Sequence, residues 1–293
     1  MVNADTLVSI GLPVRNAAER VASVVESVLA QDHHNLELVI SDNGSTDDTE
    51  AVCRELAARD ARVAYHRQPQ NIGLFNNFVR TIRLARGEFF RWIGDDDRLA
   101  RPFVSRCLNE FAADPRLILV TTQIEYRGPD ASTQTAGYDG TSLRSAEPVE
   151  RLDELLRLLN ESHLLIDPLY AMVRRAPVAA IPRHNMLRED ELFAVKLALA
   201  GPWGHVPEIL ARRGWRPDRL ADIARRIGVP AWQSRFSNTL LCVETLRWLR
   251  QAELSREQRS RANNAVYRMY ARRQTRTVRH RSRKLLRTAL ARR

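Results

Sequence analysis

Two rhythms of apolar and polar positions alternate along the first hundred residues. Leu7 to Leu12 is a short apolar run cut off by Pro13, which predicts a strand. Between Ala17 and Gln31, residues Val21, Val24, Val25, Val28 and Leu29 fall at helical spacing and give a helix one buried face. A second strand, Leu36 to Ile40, leads into SDNGSTDD, where Gly44 turns the chain and Ser45 with Asp48 predicts a capping box. The next helix turns Val52 and Leu56 inward, and Val63 to His66 is a short third strand. Phe75, Phe78, Val79 and Ile82 stripe the helix after it, and Phe89 to Ile93 is the fourth strand, with Trp92 in the core. Short connections between strands and helices predict an α/β architecture with a largely parallel sheet covered on both faces.

In sheets of this kind, ligands bind beyond the carboxyl ends of the strands. Three polar clusters follow three of the strands: Pro13 to Asn16, Asp42 to Ser45, and Asp95 to Asp97. The last closes the stretch GEFFRWIGDDD, an apolar run that ends in three consecutive carboxylates. Such carboxylates repel one another unless a cation or a hydrogen-bonding ligand offsets the repulsion. A solvated turn that caps the next helix is the plainer reading of any one cluster. Three clusters on one rim weigh against three unrelated turns.

Farther along, Leu117 to Tyr126 reads as a strand and Val149 to Leu159 as an amphipathic helix. Between them, Arg127 to Pro148 is a long loop of the kind that orders over a ligand. After residue 215 helical patterns take over, at Leu220 to Ile227, Trp232 to Leu249 and Arg256 to Tyr270. The expected organisation is therefore a body over 1–215 and a helical region with a basic tail over 216–293. These helices are expected either to cover the body or to mediate self-association.

Composition changes this picture in three places. No run approaches the roughly 18 apolar residues of a membrane span, and the N-terminus lacks a basic region followed by a long apolar stretch, so a cytoplasmic location is expected. Cys53, Cys107 and Cys242 have neither paired nor metal-ligand spacing and read as reduced core residues. The net charge of +11 is concentrated: Gln258 to Arg293 holds twelve Arg and one Lys with no acid, which leaves −2 for the rest. Such a tail suits an anionic partner, a lipid headgroup or nucleic acid. Tyr267 and Tyr270 are the only aromatics after Trp248, which disfavours nucleic acid because single-strand binding needs stacking platforms. Two readings of 272–293 stay open: an amphipathic helix lying peripherally on the inner face of an anionic membrane, or a solvated, disordered tail.

The motifs VSIGLPVRN, LELVISDNGSTDDT, QNIGLFNNF, GEFFRWIGDDD and LREDELFAVKLALAG, in that order, resemble a family 2 glycosyltransferase of the GT-A fold, a Rossmann-like mixed sheet. The resemblance runs from about Leu7 to Leu210. It implies transfer of a sugar from a nucleotide diphosphate donor, UDP- or dTDP-linked, to an acceptor hydroxyl with inversion, using Mg2+ or Mn2+. It further implies that Asp42 reads the imide N–H of uracil or thymine, that Pro13 and Val14 to Asn16 line the nucleobase pocket with Asn43 beside them, and that Asn71 and Gly73 form a turn near the donor. The metal motif has two registers. In one, Gly94 replaces the first aspartate, Asp96 is the ligand and Asp95 is variable; in the other, Asp95 is on the ribose side and Asp97 on the metal. Asp96 is favoured as the principal ligand.

Inversion needs a base opposite the leaving group, and the resemblance assigns Asp190, ahead of Glu189, to that role. Glu189 and Asp190 would otherwise simply offset the positive end of a helix. Arg80 and Arg83 are candidates to approach the diphosphate, and Asp167 and Tyr170 to contact the acceptor. The acceptor class stays open among a saccharide, a lipid-linked glycan and a small molecule. A different class of function also stays open: a catalytically silent sugar-nucleotide-binding protein, or a binder of anionic surfaces or nucleic acid acting through the tail.

Overall fold

A computed structural model describes residues 5–162, 164–215 and 218–290, without the side chains of 278 and 280–290. The first half repeats strand and helix: β1 (Val8–Val14), α1 (Ala18–Leu29), β2 (Leu36–Asp42), α2 (Thr49–Arg59), β3 (Val63–Arg67), α3 (Leu74–Leu84) and β4 (Phe89–Trp92). Then follow β5 (Arg98–Leu99), α4 (Phe103–Ala113), β6 (Leu119–Arg127), β7 (Thr133–Gln134), α5 (Pro148–Glu161), β8 (Met172–Arg174), α6 (Arg175–Ala179), α7 (Glu189–Ala200) and β9 (Trp203–Gly214). Three helices close the chain: α8 (Leu220–Ile227), α9 (Trp232–Gln251) and α10 (Arg256–Leu290).

The sheet order is β3-β2-β1-β4-β8-β6-β9-β5, with β7 paired to β6. Strands β3, β2, β1 and β4 are mutually parallel. Their neighbours β8 and β6 join antiparallel, and β9 returns parallel to β6. The sheet is therefore mixed rather than parallel throughout. Every residue of β1, β2 and β4 is buried, because helices cover both faces, and this is why their apolar runs are continuous instead of alternating.

One apolar core lies on the α1 and α4 face, around Val21, Val25, Phe103 and Phe111. The other face carries α3, α5 and α7, and there α9 and α10 add Leu241, Leu249, Ala262, Val266 and Met269 to the same core. The change at residue 215 is thus a change of architecture above a shared interior. Trp92 is buried as expected, meets Phe193 edge-on, and donates its Nε1–H to the Phe78 carbonyl at 3.0 Å.

Several expectations are corrected. Ser45 and Asp48 form no capping box: the Ser45 hydroxyl donates to Asp42 Oδ1 at 2.6 Å, and Asp47 Oδ1 accepts the Thr49 N–H at 3.1 Å. A buried carboxylate needs donors more than an exposed helix end needs an acceptor. Within the long loop after β6, β7 folds back on β6 and residues Ser142–Arg144 make a 3-10 turn. Strand β9 was not expected; of the two readings of the tail, the helical one holds as far as Leu290, where α10 ends. The run Phe89 to Ile93 also contains a fully buried charge: Arg91 lies 4.5 Å over the Phe103 ring, and burial lowers its pKa to about 10.

Candidate active site

Because β1 pairs in register with both β2 and β4, their carboxyl ends open on one rim, with Val14 beside Asp42 and Gly11 beside Trp92. The three polar clusters therefore meet. Asn16, at a positive φ of 52°, donates its N–H to Ser45 Oγ at 3.0 Å and accepts the Thr46 N–H at 2.9 Å. Pro13 is buried against Ser41. The Asn43 side chain donates to Asn71 Oδ1 at 2.8 Å and accepts the Ile72 N–H at 2.7 Å, and Asn71 Oδ1 also takes the Gly73 N–H at 2.9 Å. Gly73 enters α3 at a φ of 89°, which a side chain would strain. Asn16, Asn43, Asn71 and Gly73 so form a collar that stitches the loops after β1, β2 and β3 to one another.

Asp42 forms the floor of this collar. It has no exposed surface, its Oδ1 accepts from the Ser45 N–H at 2.9 Å and the Ser45 hydroxyl, and its Oδ2 accepts from the Tyr65 hydroxyl at 2.7 Å. Arg67 Nε stands 3.8 Å from Oδ2. The carboxylate expected to read a base is thus already supplied with three donors.

The three consecutive aspartates have different surroundings. Asp95 pairs with Arg20 of α1 at 2.5 Å. Asp97 is fully buried; it accepts the Gly94 N–H at 2.9 Å and lies 3.3 Å, through both oxygens, from Arg213 Nε. Asp96, between them, is exposed and has no salt-bridge partner among the described residues. Partial burial raises its pKa, and the charges of Asp97 and Asp95 raise it further. Gly214 makes room for it, since a Cβ there would lie 2.3 Å from Asp96 Oδ2.

Among the described residues no group of three or more His, Cys, Asp or Glu side chains is arranged to hold a metal. A single open carboxylate burdened by two like charges nonetheless fits a hard cation that takes its other oxygens from a diphosphate and water. Asp96 is that carboxylate, with Asp95 adjacent; Asp97 is engaged by Arg213.

Arg213, which the sequence reading did not single out, joins the two halves of the site. Besides Asp97 it donates to Asp167, and its guanidinium lies 3.5 Å over the Tyr170 ring. Asp167 also accepts the Tyr126 hydroxyl at 3.3 Å. The available signal was the tail of β9, where neighbouring arginines face opposite ways: Arg212 outward to Glu125, Arg213 inward. Asp167 and Tyr170 are therefore both committed to this arginine. Arg80 and Arg83 instead line a separate cavity with Phe75 and Arg183, away from the aspartates.

Glu189 and Asp190 open α7 after Arg188, whose φ is 63°. Glu189 is buried and held by Arg183, with Nε 2.8 Å from Oε1. Asp190 lines a cavity of about 590 Å³ together with Asp167, Glu191 and Arg213. Asp190 is exposed to this cavity; desolvation by the surrounding walls, and secondarily the charge of Glu191, push its pKa up to about 6. A second cavity, about 770 Å³, is lined by Asp96, Arg98, Glu125 and Arg127. Arg213 and Trp215 line both, so the two cavities adjoin with Arg213 between Asp96 and Asp190.

Residues 9–180 match the family model described as glycosyl transferase family 2. A hyaluronan synthase of Pasteurella multocida is 33% identical over 138 residues, 47% of this chain but 14% of that protein, so the chain spans a small part of its length. S. aureus TarS residues 1–349, solved with UDP-GlcNAc, superpose with a TM-score of 0.64 at 15% identity, over 90% of this chain and 72% of that one. A mannosyltransferase from Pyrobaculum calidifontis, solved with GDP-Man and Mn2+, gives 0.56 at 16% identity, over 97% and 79%. The shared architecture is the GT-A fold.

Proposed function

The chain belongs to glycosyl transferase family 2, and on that premise we propose that it is an inverting glycosyltransferase, metal-dependent, with a UDP- or dTDP-sugar as donor. The observation that carries this reading is the pair of uncommitted carboxylates, Asp96 and Asp190, in adjoining cavities on either side of Arg213. Among the described residues, the other acids lining the two cavities are each engaged by an arginine. Donors in the solved relatives, UDP-GlcNAc in one and GDP-Man in the other, support a sugar nucleotide here.

In this reading the donor lies along the rim of β1, β2 and β4, with Pro13, Asn16, Asp42, Asn43, Asn71 and Gly73 around its nucleoside. Tyr65 and Ser45 hold the Asp42 carboxylate still, and because Asp42 has no exposed surface a base N–H reaches Oδ2 only once a covering side chain moves aside. Asp96, with Asp95 beside it and Asp97 beneath, would hold Mg2+ or Mn2+. When bound, such an ion offsets the charge that develops on the departing diphosphate.

Asp190 takes the proton from the acceptor hydroxyl as its oxygen bonds to the anomeric carbon. The bond to the diphosphate oxygen breaks on the opposite face, and the nucleoside diphosphate leaves with the electron pair. An ordinary carboxylate is a weak base, and a pKa near 6 brings Asp190 closer to the range where general-base catalysis is efficient. Arg213 keeps Asp97 and Asp167 from adding free charge between the two carboxylates.

Calorimetric titration with UDP, dTDP and GDP, first with Mn2+ and then with EDTA, tests the donor site. Tight binding of one nucleotide that EDTA abolishes is the expected result. Absence of binding to all three would overturn the reading.

A further inference from the structure

The wall of the Asp190 cavity contributed by α10 comes from the segment that reads as a basic tail. Arg273 and Arg276 of α10 line the cavity with Asn160 of α5, Arg188 and Asn238 of α9. The lining carries four guanidiniums, Arg188, Arg213, Arg273 and Arg276, against four carboxylates, Glu161, Asp167, Asp190 and Glu191, but they are paired unevenly. Arg188 and Arg273 both pair with Glu191, the latter at 2.6 Å, while Arg276 donates to the Asn160 carbonyl and has no carboxylate partner among the described residues. Two guanidiniums thus share one carboxylate, and a third has none. The remaining lining acids are engaged elsewhere, Glu161 by Arg157 at 2.5 Å and Asp167 by Arg213, apart from Asp190 itself.

Besides Glu191 Oε2, which has only its ion pair with Arg273, two polar atoms in this corner lack partners among the described residues. Arg273 is nine-tenths buried; its Nε donates to Asn160 Oδ1 at 2.9 Å and its Nη2 to the Leu159 carbonyl at 3.3 Å, but Nη1 donates to nothing. Asn238 Oδ1, also buried, accepts nothing. A buried cationic donor and a buried acceptor left unmatched on residues that line one cavity ask for a ligand that carries both an anion and a hydroxyl. The volume, about 590 Å³, suits a small saccharide.

Building on the transferase reading, we infer that this corner is a subsite for an anionic group, carboxylate or phosphate, carried by a hydroxylated acceptor whose reacting hydroxyl reaches Asp190. Arg276 and Arg273 supply the donors, and Asn238 accepts a hydroxyl proton. Guanidinium forks match both anions in geometry and charge, which a neutral acceptor would leave unused. The donor diphosphate does not compete for the corner, because it belongs to the Asp96 cavity on the other side of Arg213.

The test uses the full chain with UDP and Mn2+ present, titrated with methyl β-glucuronide, glucose 6-phosphate and neutral methyl β-glucoside. At least one of the two anionic sugars should bind about tenfold or more tightly than the glucoside. Arg276→Glu should remove that advantage and Arg276→Lys should keep it. Arg276 is exposed, so both variants should melt like the parent. Preference for the glucuronide alone would identify a carboxylate site, preference for the phosphate alone a phosphate site, and both a site that reads charge. Equal binding of the glucoside, or an advantage that survives Arg276→Glu, would overturn the inference. UDP affinity in the same samples separates the two claims: UDP binding without anion preference removes the subsite only. Anion preference lost in Arg276→Glu without UDP binding keeps the anion site and removes the transferase reading.

Discussion

Replacing Arg213 by methionine removes its charge while keeping most of its volume. In the native site its Nε lies 3.3 Å from both oxygens of Asp97, the same guanidinium binds Asp167, and it covers the Tyr170 ring at 3.5 Å. Asp97 has no exposure, so water cannot take the place of the arginine, and the Gly94 N–H would be its remaining donor. Asp167 is 19% exposed and can turn to solvent, so the penalty falls mainly on Asp97. Removing one partner of a buried pair costs about 3–5 kcal/mol, chiefly because the other charge is stranded. Urea unfolding of Arg213→Met in EDTA should show a loss of that size. Adding Asp97→Asn should restore most of it, since the amide oxygen still accepts from Gly94 but carries no charge, and the double-mutant cycle measures that coupling. A loss below about 1 kcal/mol, within the range of an unremarkable substitution, or no recovery in the double variant would refute the compensating role of Arg213.

Asp190→Asn should leave UDP affinity intact and lower turnover by about 10²–10⁴, the usual worth of a general base; undiminished turnover would remove Asp190 from the mechanism. Because the base must be ionised, kcat/KM of the parent should be level above pH 6 and fall as pH drops through about 6, and a flat profile through that range would contradict the assignment. Gly214→Ala should displace the Asp96 side chain, whose Oδ2 a Cβ would meet at 2.3 Å. Mn2+-dependent UDP binding should then weaken at unchanged melting temperature, as in Asp96→Asn, and normal Mn2+ dependence in both would discard Asp96 as ligand. Deleting 272–293 should cost activity, since Arg273 is held by Glu191 and Asn160; full activity in the truncated chain would show that α10 does not build the site.

The sequence made β1 to β4 and the helices between them legible because each strand there pairs in parallel and carries a mostly apolar run, Glu37 and Arg91 apart. It also placed Asp42 and Asp95 to Asp97 on one rim, because a parallel sheet brings carboxyl ends together. What it missed depends on partners that only the folded chain supplies. Ser45 looked like a helix cap until Asp42, three residues earlier, proved to be the buried acceptor that needed it more. Trp203 to Gly214 showed no clear alternation because a register shift after Thr122 of its partner interrupts it, and with that strand Arg213 went unnoticed. Nor could composition divide 258–293: Arg273 and Arg276 look like every other arginine in the tail until α5 lies beside them.

The position of β9 in the sheet also orders events in time. β1 to β4 can assemble as soon as each has left the ribosome. β6 must wait about eighty residues for its long partner, joined meanwhile to β8 through only Leu119 and Val120. During synthesis, nine residues of mostly buried strand therefore present an unpaired edge, open to capture by a neighbouring nascent chain. The vulnerable interval in the life of this protein falls between the emergence of Arg127 and that of Trp203, well before any of its chemistry can begin.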